Sequence, residues 1–390
     1  MSIRDVAIVG TSMTKFGRSN KTELEMFAEA ALDSIYNSDI EPKNIEELYL
    51  GNCAGAINEG QVNMCAHAAE EIGLHQIPST TFEGACASSA VAFIHAYREV
   101  AAGYNDTVLV AGTERNMTLR PTGWATRVFQ CSADQRYTQF TGLTFPGIFA
   151  MAANRYMKKY DISKEAGEEA LACVSVKNHH NGALNPKAHL QKEITIDTVL
   201  QSPKVADPLK LYDCCPFSDG AAALVLTSAE KAKKLTDTPI YVAGVGQSSQ
   251  GSLCTQSDIT YPIGRAVSSK KAYKQAKIEP KDIDIAEVHD CFTSAEIIAI
   301  EALGLFERGH GWKAEKEGET AIDGKLPINT SGGLKAKGHP IGATGCAQIH
   351  EIVEQLRGDA GKRQVNKVEV GLADNMGGEF GTITTIILRR

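Results

Sequence analysis

Two stretches of the chain place a side chain capable of chemistry among small residues. Residues 331–345 read Ser-Gly-Gly-Leu-Lys-Ala-Lys-Gly-His-Pro-Ile-Gly-Ala-Thr-Gly and contain one histidine, His339. Glycine lets the backbone approach a ligand closely and adopt positive φ angles. Because the neighbours are small or apolar, this stretch predicts an imidazole at the floor of a site.

Cys86 follows an extended segment, residues 79–83, and precedes small residues that begin a helical pattern. At a helix N-terminus a thiolate is stabilised by the helix dipole and by free N–H groups. The small neighbours also leave the sulfur room to carry an acyl group. Taken alone, Cys86 fits equally well as a buried and unreactive thiol. With His339 available as a base, it is the predicted nucleophile.

A second histidine and a second cysteine lie two residues apart, because residues 287–292 read Glu-Val-His-Asp-Cys-Phe. They are His289 and Cys291. Together with the two stretches above, this segment resembles the thiolase superfamily. Its His-Asp-Cys-Phe form resembles the sterol-carrier-protein thiolase branch and its archaeal relatives. The resemblance extends from the first predicted strand to the last.

The resemblance implies a role for each of these residues. Cys86 becomes acylated, His339 is its base, and His289 holds a water of an oxyanion hole at a place where many thiolases have asparagine. Condensation also needs a base for the α-proton of the second acetyl unit. The usual second cysteine of thiolases is replaced here by Asn375, so Cys291 is the predicted base. The alternative is that Cys291 only packs beneath the site.

Further contacts are predicted around these groups. The backbone N–H groups of Cys86 and Gly377 are expected to form an oxyanion hole for the acyl-cysteine carbonyl. Ser331, Gly332 and Cys215 are expected to contact the substrate, since Cys215 falls in a region that resembles the pantetheine-contacting loop.

The chain repeats itself on a large scale. Ile-Glu-Pro-Lys occurs at residues 40–43 and again at 278–281, each time after a helical pattern and before a short strand. A shared run of four residues can arise by chance, but the matching order of elements around it favours a duplication. Strands that alternate with helices predict mixed or parallel sheets covered by helices.

We therefore expect an α/β fold, the duplicated thiolase fold, with two similar mixed-sheet halves, helices packed between and outside them, and a loop-rich insertion. The first half spans residues 1–115 and is completed by 215–232. The insertion spans 116–214, and the second half spans 238–390. By resemblance, the insertion covers the active site and carries most contacts to coenzyme A. Loop packing over about 118–149 is expected to set acyl-chain length.

The composition narrows the class of protein. Of the 390 residues, 43% are hydrophobic and 22% are charged, as in ordinary globular proteins. A net charge of −7 argues against a nucleic-acid partner. Ten cysteines without the spacing of a small disulfide-rich domain indicate a reducing compartment. Since no Cys-x-x-Cys motif occurs, we expect no metal site.

The sequence also bears on location. It shows no secretory leader, no apolar run long enough for a membrane span and no peroxisomal tripeptide. These observations predict a cytoplasmic protein without a membrane partner.

The predicted function is reversible Claisen condensation of two acetyl-CoA to acetoacetyl-CoA, or thiolysis of 3-oxoacyl-CoA, through an acyl-cysteine. Coenzyme A thioesters are the substrates, and no further cofactor is expected. By resemblance, the chain forms a homodimer or homotetramer, and archaeal relatives work in a complex with hydroxymethylglutaryl-CoA synthase and a small bridging protein. Two alternatives stay open: a decarboxylative ketosynthase, which uses a Cys-His-His set, and an acyl-carrying or scaffold subunit of such a complex.

Overall fold

The structure is a computed structural model that describes residues 3–117 and 122–390. Residues 118–121, the start of the loop expected to set acyl-chain length, lie outside the described part. The strands are β1 (Val6–Met13), β2 (Glu47–Gly51), β3 (Ser79–Phe82), β4 (Thr107–Arg115), β5 (Lys204–Ala206), β6 (Leu209–Lys210), β7 (Asp219–Ser228), β8 (Ile240–Ser249), β9 (Ile285–Glu287), β10 (Val370–Gly377) and β11 (Thr382–Arg389).

The α-helices in the described residues are α1 (Glu23–Tyr36), α2 (Gly55–Asn58), α3 (Met64–Glu71), α4 (Ser88–Ala102), α5 (Thr122–Gln130), α6 (Phe145–Lys159), α7 (Lys164–Leu184), α8 (Ile196–Leu200), α9 (Ala229–Leu235), α10 (Ile263–Ala276), α11 (Thr293–Ala302), α12 (Gly311–Lys316), α13 (Gly333–Ala336) and α14 (Thr344–Arg357). Short 3-10 turns lie at Pro42–Asn44, Ala85–Ala87, Gln139–Thr141, Leu211–Asp213, Leu253–Thr255, Pro280–Asp282 and Gly361–Arg363.

One mixed sheet runs through the molecule in the order β3-β2-β4-β7-β1-β8-β11-β10-β9. β2 is parallel to β3 and β4, and β9 is parallel to β10, whereas the other neighbours are antiparallel. The two halves meet in the middle of the sheet, where Ala7 faces Tyr241 and Ile8 faces Ile240. β5 and β6 form a separate small hairpin.

The halves repeat the same series of elements. α1 and α10 are each followed by a 3-10 turn, Pro42–Asn44 or Pro280–Asp282, and then by β2 or β9. Each turn begins at the proline of an Ile-Glu-Pro-Lys segment, so the predicted duplication of an α/β fold is confirmed. The domain limits at residues 115, 214, 232 and 238 stay a prediction.

Successive side chains of a strand point to opposite faces of the sheet and pack against helices on both faces. In β1, Val6 and Ile8 pack into one core cluster with residues of α4 and α14. Ala7 and Val9 point the other way and pack with α1 and α3. This alternation follows from the two-residue period of a strand. α4 and α14, from different halves, therefore lie side by side on one face.

The helices of the predicted insertion pack over one end of this assembly. Residues of its helices α6 and α7 share a core cluster with α11, Cys291, Phe292 and Phe380 of the second half. The insertion thus forms one wall of the region in which the predicted site residues lie. Among the described residues, no helix combines the length and apolar character that crossing a bilayer would require.

Candidate active site

Cys86, His289 and His339 converge from three distant parts of the chain. One donor atom of each side chain lies within 4.8 Å of the other two. Cys86 occupies the 3-10 turn Ala85–Ala87 that leads into α4, His289 lies between β9 and α11, and His339 lies between α13 and α14. Each of the three groups is therefore held by a segment that leads into a helix.

The turn that carries Cys86 is fixed by its own hydrogen bonds. Ala85 has a φ of 52°, which is unfavourable for a residue with a side chain. The Ser88 hydroxyl donates to the Ala85 carbonyl at 2.6 Å and accepts from the Gly84 N–H at 3.0 Å. The Glu83 carboxylate accepts from the Ala85 N–H at 2.6 Å. These bonds hold the strained backbone that directs the Cys86 side chain into the site.

The environment of Cys86 keeps its thiol protonated in the absence of substrate. Burial raises the pKa of the Cys86 thiol to about 12, although the backbone N–H groups of Gly378 and of Cys86 itself point at the sulfur and oppose this rise. The same two N–H groups are placed to bind negative charge on a carbonyl attached to that sulfur.

This geometry corrects one prediction. The N–H group that reaches the sulfur belongs to Gly378, not to the predicted Gly377. Gly377 is still paired with Thr382 in the sheet. A Cβ atom on Gly377 would lie 1.9 Å from the Gly84 carbonyl oxygen. Its function is close packing behind the nucleophile, whereas Gly378 follows the strand end and has a φ of 64°.

His339 is oriented by a hydroxyl one helical turn away. The Thr344 hydroxyl donates to the Pro340 carbonyl at 2.7 Å and lies 2.7 Å from His339 Nδ1. Because the hydroxyl has one proton, which it gives to Pro340, Nδ1 must carry the proton of the ring. Nε2 is then left as the basic nitrogen. Burial, followed by the charge of Lys337, lowers the pKa of His339 to about 3, so the ring is neutral.

His289 is buried with one nitrogen unsatisfied. It is 1% exposed, and its Nδ1 has no hydrogen-bond partner among the described residues. Its backbone N–H donates to Asp374 at 3.4 Å, and Asp374 is also bound by Arg265. Burial, then His339 and Arg265, lower the pKa of His289 well below its usual value. The ring is a neutral group with capacity for one more ligand.

These residues lie on the wall of a cavity of about 480 Å³. Most of the wall is apolar or aromatic. The residues that line the cavity include Cys86, Phe129, Phe149, Cys214, Cys215, Phe217, His289, Cys291, Phe292, His339 and Gly378. Phe129 stacks on Phe217 and Phe149 on Phe292, each with ring centroids 4.8 Å apart. A largely apolar wall with a few convergent polar groups is typical of a small-molecule site.

Cys291 and Cys215 meet at the same wall. The Cys215 N–H donates to the Cys291 carbonyl at 3.0 Å, and both residues line the cavity. Burial, together with the neighbouring Cys215 thiol, raises the pKa of Cys291 well above its usual value. Asn375, by contrast, is buried against Gln348 and is not a lining residue.

Ser331 and Gly332 are not among the residues that line this cavity, and their contact with the substrate stays a prediction. Ser331 is fully buried and bonds the Glu287 carboxylate through its N–H and its hydroxyl. A Cβ on Gly332 would lie 2.8 Å from the Gly182 Cα. Their polar groups and small size serve the packing that supports the His339 segment.

Two buried carboxyl groups, which the sequence patterns did not predict, connect the segments that carry the site residues. Asp290 accepts from the N–H groups of Leu334 and Lys335 at 2.7 and 3.2 Å, which ties the His289 segment to α13. Glu114 accepts from the Gly342 N–H at 3.1 Å. The position of Asp290 between His289 and Cys291 was the one signal in the sequence that could have pointed to it.

Fold and site together fit an enzyme of acyl transfer, with the Cys86 thiol beside two neutral imidazoles on a duplicated α/β scaffold. Residues 6–230 match the thiolase N-terminal domain, and residues 246–390 match the thiolase C-terminal domain-like family. The chain belongs to the thiolase family.

Relatives support this over the full length. The chain is 43% identical to an acetyl-CoA acetyltransferase of Methanothermobacter thermautotrophicus, with 100% of both chains covered. It is 41% identical to an acetyl-CoA acetyltransferase of Methanocaldococcus jannaschii, with 99% of both covered. It is 33% identical to sterol carrier protein 2 of Bos taurus, over 98% of this chain and 72% of that protein.

Solved structures agree with the fold. The chain superposes on a chain of the Ltp2-ChsH2(DUF35) aldolase with a TM-score of 0.85 and 27% identity, covering 100% of this chain and 98% of that one. Human mitochondrial 3-ketoacyl-CoA thiolase gives a TM-score of 0.75 at 20% identity, with 100% of both chains covered. The latter likeness concerns the fold alone.

Proposed function

We propose that the chain catalyses the reversible condensation of two acetyl-CoA to acetoacetyl-CoA, and the reverse thiolysis. One observation carries the proposal: Cys86, His289 and His339 converge within 4.8 Å, in a cavity that Cys291 also lines. A nucleophile, its base and a second thiol are what the two steps of this reaction need. The full-length acetyl-CoA acetyltransferase relatives support acetyl-CoA as the substrate.

In the first step, His339 Nε2 takes the proton of the Cys86 thiol as the sulfur attacks the thioester carbonyl. The neutral ring is a competent acceptor, since Thr344 already holds its other nitrogen. The tetrahedral oxygen accepts from the N–H groups of Cys86 and Gly378. His339 then gives its proton to the departing sulfur of coenzyme A, and Cys86 is left acetylated.

In the second step, His339 Nε2 takes the proton of the Cys291 thiol, and the Cys291 thiolate then removes the α-proton of a second acetyl-CoA. The electron pair of the broken C–H bond moves to the thioester oxygen, which accepts from the protonated Nε2 of His339 and from a water held by His289. The carbanion then attacks the acetyl-Cys86 carbonyl, whose oxygen accepts from the N–H groups of Cys86 and Gly378. Collapse releases acetoacetyl-CoA, His339 gives its proton to the Cys86 sulfur, and Cys291 keeps the α-proton, so both thiols are restored.

The test distinguishes the proposed roles of the Cys86 and Cys291 thiols. Cys86→Ala is expected to abolish acetylation and condensation, because no nucleophile remains. Cys291→Ala is expected to keep acetylation of Cys86, seen as a mass increase of the intact protein with acetyl-CoA, but to form no acetoacetyl-CoA. Condensation at the normal rate in Cys291→Ala would refute its role as the base.

A decarboxylative ketosynthase is the second candidate, because the geometry of Cys86 with two histidines also suits that chemistry. Such an enzyme obtains its carbanion by loss of CO₂ and needs no second thiol. Incubation with acetyl-CoA alone distinguishes the two, since only a thiolase forms acetoacetyl-CoA from it. Cys291 in the cavity wall favours the thiolase. A purely scaffolding subunit would fail to acetylate Cys86 at all.

We propose a homodimer as the smallest assembly, from which a homotetramer would be built. β3 is an edge strand, and both Thr80 and Thr81 on it are exposed. An open edge favours pairing with another strand, and β3 of a second copy is the proposed occupant. Light scattering of the purified protein tests this, and the mass of a monomer would contradict it.

We also propose a complex with hydroxymethylglutaryl-CoA synthase and a small bridging protein, in which acetoacetyl-CoA would pass towards the mevalonate pathway. A structurally similar protein, the Ltp2-ChsH2(DUF35) aldolase, supports an association with a DUF35 protein. All ten cysteines lie in the described residues and are free thiols, which supports the cytoplasm as the location. Co-purification of the tagged chain from its native cells is the test, and recovery of the chain without the synthase would contradict the complex.

A further inference from the structure

We propose that Cys86, His289 and His339 form a binding site for a thiophilic divalent cation such as Zn²⁺ or Cd²⁺, which blocks the enzyme reversibly. The sequence argued against a metal site because it lacks Cys-x-x-Cys. That argument concerns ligands that are close in sequence. The fold brings together one sulfur and two nitrogens from residues 86, 289 and 339, and no short sequence motif contains all three residues.

The distances suit such a cation. The donor atoms of the three residues all lie within 4.8 Å of one another. In a tetrahedral zinc site with Zn–S of about 2.3 Å and Zn–N of about 2.0–2.1 Å, neighbouring donors are about 3.4–3.6 Å apart. Closing the present spacing therefore takes side-chain shifts of at most about 1 Å. Two imidazoles and a thiolate are ligands that zinc prefers, and the fourth position is left to the open cavity.

Both imidazoles are available as ligands. The Thr344 hydroxyl fixes the proton of His339 on Nδ1 and leaves the Nε2 lone pair free, as a hydrogen-bonded partner does for a metal-bound histidine. His289 lies on the cavity wall and contributes one ring nitrogen to the cluster.

The thiol supplies the one proton that is released. The cation forms a bond to Cys86 Sγ, the S–H bond breaks, and the proton goes to solvent, so no oxidant or reductant is involved. The charged and titratable groups around the three ligands are Glu83 and Glu114 near Cys86, Lys337 near His339, Arg265 and Asp374 near His289, and the thiols of Cys215 and Cys291.

Metal binding and acetylation exclude each other, because both use the same sulfur. This consequence rests on the proposed function, whereas the binding itself does not. Acetyl-enzyme freed of coenzyme A by gel filtration should not bind the cation. Removal of coenzyme A is essential, since its own thiol binds zinc.

The experiment uses the full-length enzyme without substrate and Co²⁺ as a spectroscopic probe. We expect one Co²⁺ per chain with a sulfur-to-cobalt charge-transfer band that Zn²⁺ removes. Cys86→Ser should lose that band, and His289→Ala should weaken binding at least tenfold. His310→Ala is the matched control, because His310, Glu317 and Glu319 form a second cluster of possible ligands away from the cavity. This variant should keep the band.

Three outcomes would overturn the proposal: absence of a thiolate band in the wild type, a band that persists in Cys86→Ser, or binding that His310→Ala abolishes. Circular dichroism of each variant shows whether it is folded. If Cys86→Ser unfolds, the wild-type protein is tested after alkylation of Cys86 instead. Alkylation must then remove the band, and a band that persists would overturn the proposal. All of these readouts are independent of acetoacetyl-CoA formation, so failure of the proposed function would be seen separately.

Discussion

The imidazole of His289 meets that of His339 edge to face, with ring centroids 5.2 Å apart and an interplanar angle of 86°. Each ring comes from a loop that precedes a helix, and each is buried and neutral. The pair can therefore act on one oxygen without mutual charge repulsion. Their roles still differ, because only the Nδ1 atom of His339 is fixed by a hydroxyl.

We expect His289→Ala to slow condensation about 10²–10³-fold, the usual cost of losing one group of an oxyanion hole. Acetylation of Cys86 should change much less, since His339 serves as its base. Rapid quenching followed by mass spectrometry measures the two steps separately. His289→Asn is the matched control, because an amide can also hold the water, and it should keep most of the condensation rate. An equal loss in both steps would contradict this division of roles.

Thr344→Val should reduce acetylation of Cys86 about 10²-fold, the lower end of what a general base contributes. Without the hydroxyl, the His339 proton is no longer confined to Nδ1, and Nε2 is not always the free nitrogen. Single-turnover acetylation is the measurement. Thr344→Ser preserves the hydroxyl and should behave like the wild type. If Val and Ser variants were equally active, the hydroxyl would have no part in orienting the ring.

Alkylation of Cys86 by iodoacetamide should accelerate about tenfold per pH unit over roughly pH 6–9, because only the thiolate reacts and the thiol pKa lies above this range. A resting thiolate–imidazolium pair would instead react at a constant rate there. Peptide mass spectrometry distinguishes Cys86 from the other thiols of the cavity wall. A plateau for Cys86 would show that the ion pair forms before substrate binds.

Gly377→Ala should destabilise the fold by about 1–3 kcal/mol through overpacking, because its Cβ would be 1.9 Å from a backbone oxygen of Gly84. The displaced turn should also slow acetylation of Cys86. Gly123→Ala is the control, since its Cβ would meet no atom of the described residues within 4 Å and it lies in α5. Urea unfolding of both variants tests the difference, and equal stabilities would contradict it.

The convergence of Cys86, His289 and His339 could be predicted because short segments of the sequence carry their signals. Cys86 before small residues and His339 among glycines each carry a local signal, and the Ile-Glu-Pro-Lys repeat revealed the duplication. Gly378 could not be told from Gly377, because which N–H turns towards a sulfur depends on where the strand ends. Ser331 looked like a polar group beside the site, but its partner, Glu287, is 44 residues away in the chain.

The sulfur of Cys86 belongs to one half of the duplicated scaffold, whereas His289, Cys291, His339 and Gly378 all belong to the other. During synthesis, the Cys86 thiol is therefore made before the groups that are proposed to act with it. Neither copy of the duplicated scaffold contains the complete set, so the proposed centre exists only where the two copies meet.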